Sequence, residues 1–257
     1  MLHYVIAGVR NCSLYTFSLN KFAFRVPAVN RVIDIHILRA ELIMGEKLNR
    51  DDLKIIMEMR QYGYDVLKKI FYVEPSKSLL QALRDNEIFE GFPFRAEGNL
   101  IDTGIKFITK FLADKKDKDD EMTSEVRWDF TQLFVGPYAL PAPPWESVYR
   151  SNEHLLYQDT AFEVRKEYLR YNFIPKNYPH EADDHIGFEL DFMLQLAGNE
   201  DALKDSMKFL DGHLSQWVSE FSRDIQKHAL TEFYRGAGII LKGFVLEDMN
   251  LLGEILG

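Results

Sequence analysis

From Asn49 onward, apolar residues recur at helical spacing for most of the chain. Asn49 stands where an N-cap belongs, Asp51 and Asp52 suit a first turn, and Leu53, Ile56, Met57, Tyr64, Leu67 and Phe71 follow on one stripe. Pro75 breaks that helix, and Ser76 or Ser78 opens a short one through Leu79, Leu80 and Leu83. The run DNEIFEGFPF, with Gly91 and Pro93 as breakers, predicts a turn region. A further helix follows through Ile101, Ile105, Ile108 and Leu112. The charge run Asp114 to Glu121 predicts a solvated loop. Val126, Phe130, Leu133 and Phe134 mark a helix leading into a proline-rich stretch.

Beyond that stretch, Asp159 or Thr160 is placed to cap a helix reaching Phe173, and IPKNYPHEA breaks it. DDHIGFELDFMLQLAGN opens with acids, carries Ile186, Leu190, Met193 and Leu194 on one stripe, and ends near Gly198. One or two amphipathic helices follow to Ala229, and a last, glycine-interrupted one runs from about Thr231 to Leu256. No period-2 strand of useful length, no Asn-Gly hairpin and no internal repeat is seen. The expected fold is all-α, a single irregular domain of roughly nine to eleven helices rather than a four-helix bundle.

Residues 1–43 break the pattern. No acid precedes Asp34, whereas Arg10, Lys21, Arg25 and Arg31 are present, and no clean period appears before about Val32. The expected division is an extension over 1–43 and a helical domain over 44–257. The extension is expected to be weakly packed or, with Met44 as the true start, to lie outside the native chain. A functional arm is the third reading.

Composition narrows the class. Of 257 residues, 46% are hydrophobic, enough for a sizeable core. The formal charge of −9 argues against a general nucleic-acid surface. Cys12 is the single cysteine, which excludes an intramolecular disulfide or a thiolate metal cluster and fits a reducing compartment. No apolar run reaches membrane-span length, and the apolar run Tyr4–Val9 is too short for a secretory signal, so the cytoplasm is the expected location.

Candidate chemistry is sparse. GAGIILKG, Gly236 to Gly243, lacks phosphate-loop spacing. In HEADDHIGFEL, a helix starting near Asp183 would set His185 and Glu189 four apart on one face, a possible metal pair. The competing reading has Asp183 or Asp184 as a helix cap, and no third or fourth ligand is marked. The expectation is therefore no metal and no catalytic set. The stretch LFVGPYALPAPPWESVY is more distinctive: four of the chain's nine prolines, Pro137, Pro141, Pro143 and Pro144, fall within eight residues. They stiffen a loop, with Pro144 placed for the first turn of a following helix. Phe134, Tyr138 and Trp145 would rim it as a ledge for an apolar peptide with a basic flank.

FTQLFVGPYALPAPPWESVY, followed about forty residues later by EADDHIGFELDFM, resembles the TorD/DmsD family of molybdoenzyme chaperones, related to the NarJ type. The resemblance runs from about Met44 to the C-terminus. It implies an all-α, cytoplasmic, non-enzymatic protein of anaerobic respiration. Such a chaperone binds the twin-arginine signal peptide of a DMSO-reductase-type catalytic subunit, holds the apoenzyme for molybdenum cofactor insertion and delays export. The implied peptide-binding residues are Phe130, Leu133, Phe134, Tyr138, Pro144 and Trp145 in the first motif and Asp184 and His185 in the second. With Asp183, the second motif would meet the leader's arginines through charge-assisted hydrogen bonds. Phe130 and Tyr138 stand where relatives carry tryptophan, and Ala182 where many carry proline. The resemblance also admits GTP, without a residue that marks its site, and implies molybdenum-cofactor biosynthesis proteins as further partners. A monomer or a domain-swapped dimer is expected. The alternatives are a chaperone for a non-exported redox subunit and a metal- or nucleotide-dependent enzyme built on the DDH cluster.

Overall fold

The computed structural model describes residues 16–19, 22–25, 48–85, 88–89, 91–137, 139–151, 159–175 and 181–257. Strands β1 (Thr16–Leu19) and β2 (Phe22–Arg25) form an antiparallel hairpin, with Thr16 opposite Arg25 and Leu19 opposite Phe22. The sequence pattern missed this pair because four residues are too few to establish a period of two. The other main elements of the described residues are helices: α1 (Arg50–Phe71), α2 (Lys77–Asp85), α3 (Leu100–Asp114), α4 (Asp119–Phe130), α5 (Glu146–Arg150), α6 (Asp159–Arg170), α7 (Ile186–Ala197), α8 (Leu203–Phe209), α9 (Ser215–His228) and α10 (Glu232–Leu256). A π turn over Leu210–Leu214 joins α8 to α9 without a break, so these segments make nine helices, as the periodicity predicts. A second π turn, Thr131–Val135, extends α4.

Several predicted boundaries coincide with observed caps. The Asn49 side chain accepts from the Asp51 and Asp52 amides, Ser76 Oγ accepts from the Leu79 amide, and Thr231 caps α10. Two expectations fail. The charge run is only partly a loop, because Asp119, Asp120 and Glu121 form the acidic first turn of α4, where the helix dipole favours them. The glycines of the last helix do not interrupt it; they let helices touch. A Cβ on Gly236 would stand 2.5 Å from the Gly104 carbonyl oxygen, and one on Gly104 would stand 2.6 Å from that of Gly236. This close approach sets α3 against α10, the most extensive helix pair in the fold, with α9 on another side of α10 and α7 against α1.

The core is rich in aromatic rings, and among the described residues it fully buries the ion pair of Arg60 and Asp248. Arg60 Nε donates to Asp248 at 2.6 Å with both side chains fully buried, and the Tyr64 hydroxyl donates to the same carboxylate at 2.6 Å. Asp129 of α4 accepts from the Leu230 and Thr231 amides and the Thr231 hydroxyl, fixing α4 to the start of α10. Among the described residues, no helix is long and apolar enough to cross a membrane.

Candidate functional site

The proline-rich loop starts where α4 ends. The π turn closes with the Gly136 amide donating to the Thr131 carbonyl, and Gly136 then takes φ 90°, a left-handed conformation that ends the helix. Through this turn Phe130, Leu133 and Phe134 all point inward. Phe134 packs edge-on against Phe130, Phe71 and Tyr234, so it builds the core and does not rim a ledge as the sequence suggests. Pro144 is also buried. Tyr138 lies outside the described residues. Of the described candidates in the first motif, Trp145 alone keeps a partly exposed side chain. It is the N-cap residue of α5, so Pro144 precedes the helix and is not in its first turn.

The two motifs meet in space. The Glu146 amide donates to the Asp184 carbonyl at 3.0 Å and the Ile186 amide to the Pro144 carbonyl at 2.9 Å, which pairs Trp145 with His185 as a one-rung antiparallel bridge. Helix α5 is only five residues long and Trp145 gives it no side-chain cap. Asp184 supplies that cap from the other motif: its carboxylate accepts from the Ser147 amide at 2.7 Å. Above this joint, Trp145 Nε1 donates to Glu181 at 2.8 Å, and the indole meets the His185 ring edge-on at 5.9 Å.

The acids therefore do not stand at the surface as the sequence suggests. Asp184 is fully buried, and Asp183 is nearly so, held by Arg165. Burial raises both carboxyl pKa values, opposed at Asp184 by Ser147 and at Asp183 by Arg165. The cap of α7 is neither acid but His185, whose Nδ1 accepts from the Gly187 amide at 3.0 Å, leaving the proton on Nε2. Burial pushes this half-buried imidazole down to about 4, so it is neutral at physiological pH and does not change charge there.

Beneath the joint lies a buried acidic group whose composition the sequence did not signal. Glu146 accepts from Arg150 at 2.6 Å and lies 3.0 Å from His213 Nδ1. Glu189 accepts from Trp217 Nε1 at 3.3 Å. Glu146, Asp184 and Glu189 are all fully buried. Burial, then the charges of Glu146 and Asp184, hold the Glu189 carboxyl well above the usual range. Asp184 Oδ1, Glu189 Oε1 and Ser147 Oγ make no hydrogen bond within the described residues. His185 and Glu189 do not form a metal pair, since His185 Nδ1 caps α7 while Glu189 is turned into the core. Among the described residues, no group of three or more His, Cys, Asp or Glu is placed to hold a metal ion.

Known proteins resemble this chain over most of its length. The family model described as nitrate reductase delta subunit matches residues 99–223, which span the whole joint. A Tat proofreading chaperone DmsD from Salmonella typhimurium is 31% identical over 196 residues, covering 74% of this chain and 86% of the relative. The chain belongs to the TorD/DmsD family of molybdoenzyme chaperones. A chaperone protein TorD from Vibrio cholerae is 23% identical, covering 80% of this chain and 97% of its own. A solved Archaeoglobus fulgidus structure, described as a redox enzyme maturation protein, is 19% identical, with a TM-score of 0.41 and coverage of 76% of this chain and 94% of that one. The TorD/DmsD relatives are named as chaperones, so membership places this chain among chaperones and not among enzymes.

Proposed function

We propose that this TorD/DmsD-family chain is a cytoplasmic chaperone that binds the twin-arginine leader of a DMSO-reductase-type catalytic subunit. It holds the apoenzyme back from export until the molybdenum cofactor is inserted. The observation that carries the reading is the Trp145–His185 joint: a partly exposed indole on a loop stiffened by prolines and locked to the second motif by backbone hydrogen bonds. A preorganised aromatic anchor binds an apolar peptide without a large ordering cost. In this reading Trp145, Tyr138 and the His185 edge touch the leader, while Phe130, Leu133, Phe134, Pro144, Asp183 and Asp184 hold the loop in shape. The test is capture of the client from anaerobically grown host cells, with the partner identified by mass spectrometry. A molybdoenzyme carrying a twin-arginine leader is expected.

The family model's description favours a second reading, a chaperone for a nitrate-reductase-type subunit that is not exported. Binding to a full-length client but not to its isolated leader would select it.

A further inference from the structure

The carboxylates expected to receive the leader's arginines are buried and committed to Ser147 and Arg165. If a cationic segment binds this face, other acids must meet it. The surface beside the first motif offers a trough of about 640 Å³ between the connection Glu74–Lys77 and the outer face of α4. That face presents Asp120, Ser124, Trp128 and Thr131, successive turns spanning about 16 Å at the helical rise. At one end Asp120 is 93% exposed. Of its neighbours in the acidic first turn, Asp119 is paired with Arg84 and Glu121 with Lys115 and Lys118, so Asp120 is the carboxylate an incoming cation would meet. Toward the other end the Trp128 indole is 59% exposed, and Val135, the last residue of the π turn, is 62% exposed. The exposed indole is a flat apolar surface on which a peptide side chain can pack.

We propose that this trough receives a peptide in extended form, with two adjacent arginines at the Asp120 end and the apolar residues that follow them along Trp128 and Val135 toward the proline-rich loop. The proposal rests on the leader-binding reading and gives the leader its direction on the protein. The exchange needed at the acidic end is cheap. Asp120 is paired with Lys77, itself 45% exposed, and such surface pairs are worth little. A guanidinium offers a carboxylate two parallel hydrogen bonds where the lysine offers one, so arginine displaces it. Arg127 is held by Glu74, which limits its repulsion of an incoming cation. Ser124 lines the same trough and offers a hydroxyl to peptide backbone groups, whereas the Thr131 hydroxyl donates to the Arg127 carbonyl and Ser76 Oγ accepts from the Leu79 amide.

Fluorescence reads the trough directly, because the chain has three tryptophans and only Trp128 is largely exposed, Trp217 being fully buried. The probe is a synthetic peptide with two adjacent arginines followed by a leucine/alanine segment, compared with its Gln-Gln counterpart. Binding should shift wild-type emission to the blue, and Trp128→Phe should remove most of that shift, leaving only the part that the half-buried Trp145 contributes. Trp128→Ala should bind both peptides about tenfold more weakly. Asp120→Asn should weaken the Arg-Arg peptide several-fold and leave the Gln-Gln peptide unchanged. If Trp145→Ala weakens binding while Trp128→Ala and Asp120→Asn bind as wild type does, the trough is overturned and the leader reading stands. An emission shift that follows protein concentration without peptide would make the occupant a second copy of the chain and overturn the proposal. If wild type binds neither peptide, both readings fail.

Discussion

The carboxylate of Asp184 accepts a hydrogen bond at 2.7 Å from the backbone N–H of Ser147, 37 residues earlier in the chain. One side chain of the second motif thereby caps the helix at the end of the first. The rest of the joint, with Trp145 opposite His185 and Pro144 bonded to Ile186, is built around it. The two motifs are parts of one structure.

Asp184→Ala removes that cap and should cost about 1–2 kcal/mol, the scale of a lost N-cap or buried hydrogen bond. Asp184→Asn keeps an oxygen acceptor and should cost less. Urea unfolding of the two variants gives the comparison. Equal losses would mean that charge, and not the cap, is what Asp184 provides.

Glu189 predicts a pH effect with a definite sign. Its folded-state pKa is raised by burial among Glu146, Asp184 and Tyr168, with Arg150 and His213 bound to Glu146. The folded chain therefore keeps this proton to higher pH than the unfolded chain does. The stability it contributes is fully present below the ordinary carboxyl range and is lost as pH rises through the folded pKa. Glu189→Gln keeps the shape without the ionisable proton. Its thermal midpoint should fall less than that of wild type between pH 5 and pH 8. His185, depressed to about 4, loses its contribution at the acid end in both proteins and cancels in the comparison. Parallel curves would contradict the assignment.

Asp248→Ala leaves Arg60 charged and unpaired in the core and deprives the Tyr64 hydroxyl of its acceptor. Breaking a buried pair from one side costs about 3–5 kcal/mol. Chemical denaturation should show that loss, or soluble protein should not be obtained. A shift below about 1 kcal/mol would mean that water reaches the pair.

How much of this could be read in advance depended on how local the physics was. Asn49, Ser76 and Thr231 act on amides two or three residues away, so their caps are visible in a short window of sequence. The π turn at Thr131 is not visible, because it inserts a residue into the helical period and turns both Leu133 and Phe134 inward. That is why Phe134 was expected on a ledge. The roles of Asp184 and Glu146 were hidden for a different reason: their partners lie 37 and 67 residues away. An acidic pair before a helix reads as a cap for that helix, whereas Asp184 caps another one and His185 takes its place. Trp128 carried no signal, since an exposed indole on an amphipathic helix looks like any other aromatic until its surroundings are known.

Removal of residues 1–43 should leave the helical domain intact. The described hairpin lies beside α1 and α2, but the cores of both helices close on other helices. A chain starting at Met44 should keep its helical circular dichroism signal and a thermal midpoint close to that of the full chain. Loss of folding would make the extension part of the domain.

The account turns on whether this chain binds a twin-arginine leader through the Trp145–His185 joint. Calorimetric titration of such a leader peptide into wild type and Trp145→Ala, with thermal midpoints recorded for both, tests it most directly. The prediction is saturable binding to wild type and affinity about tenfold or more weaker in a variant that still folds, the scale of losing an aromatic anchor. Equal affinity in the two folded proteins, or no binding to wild type, would contradict it.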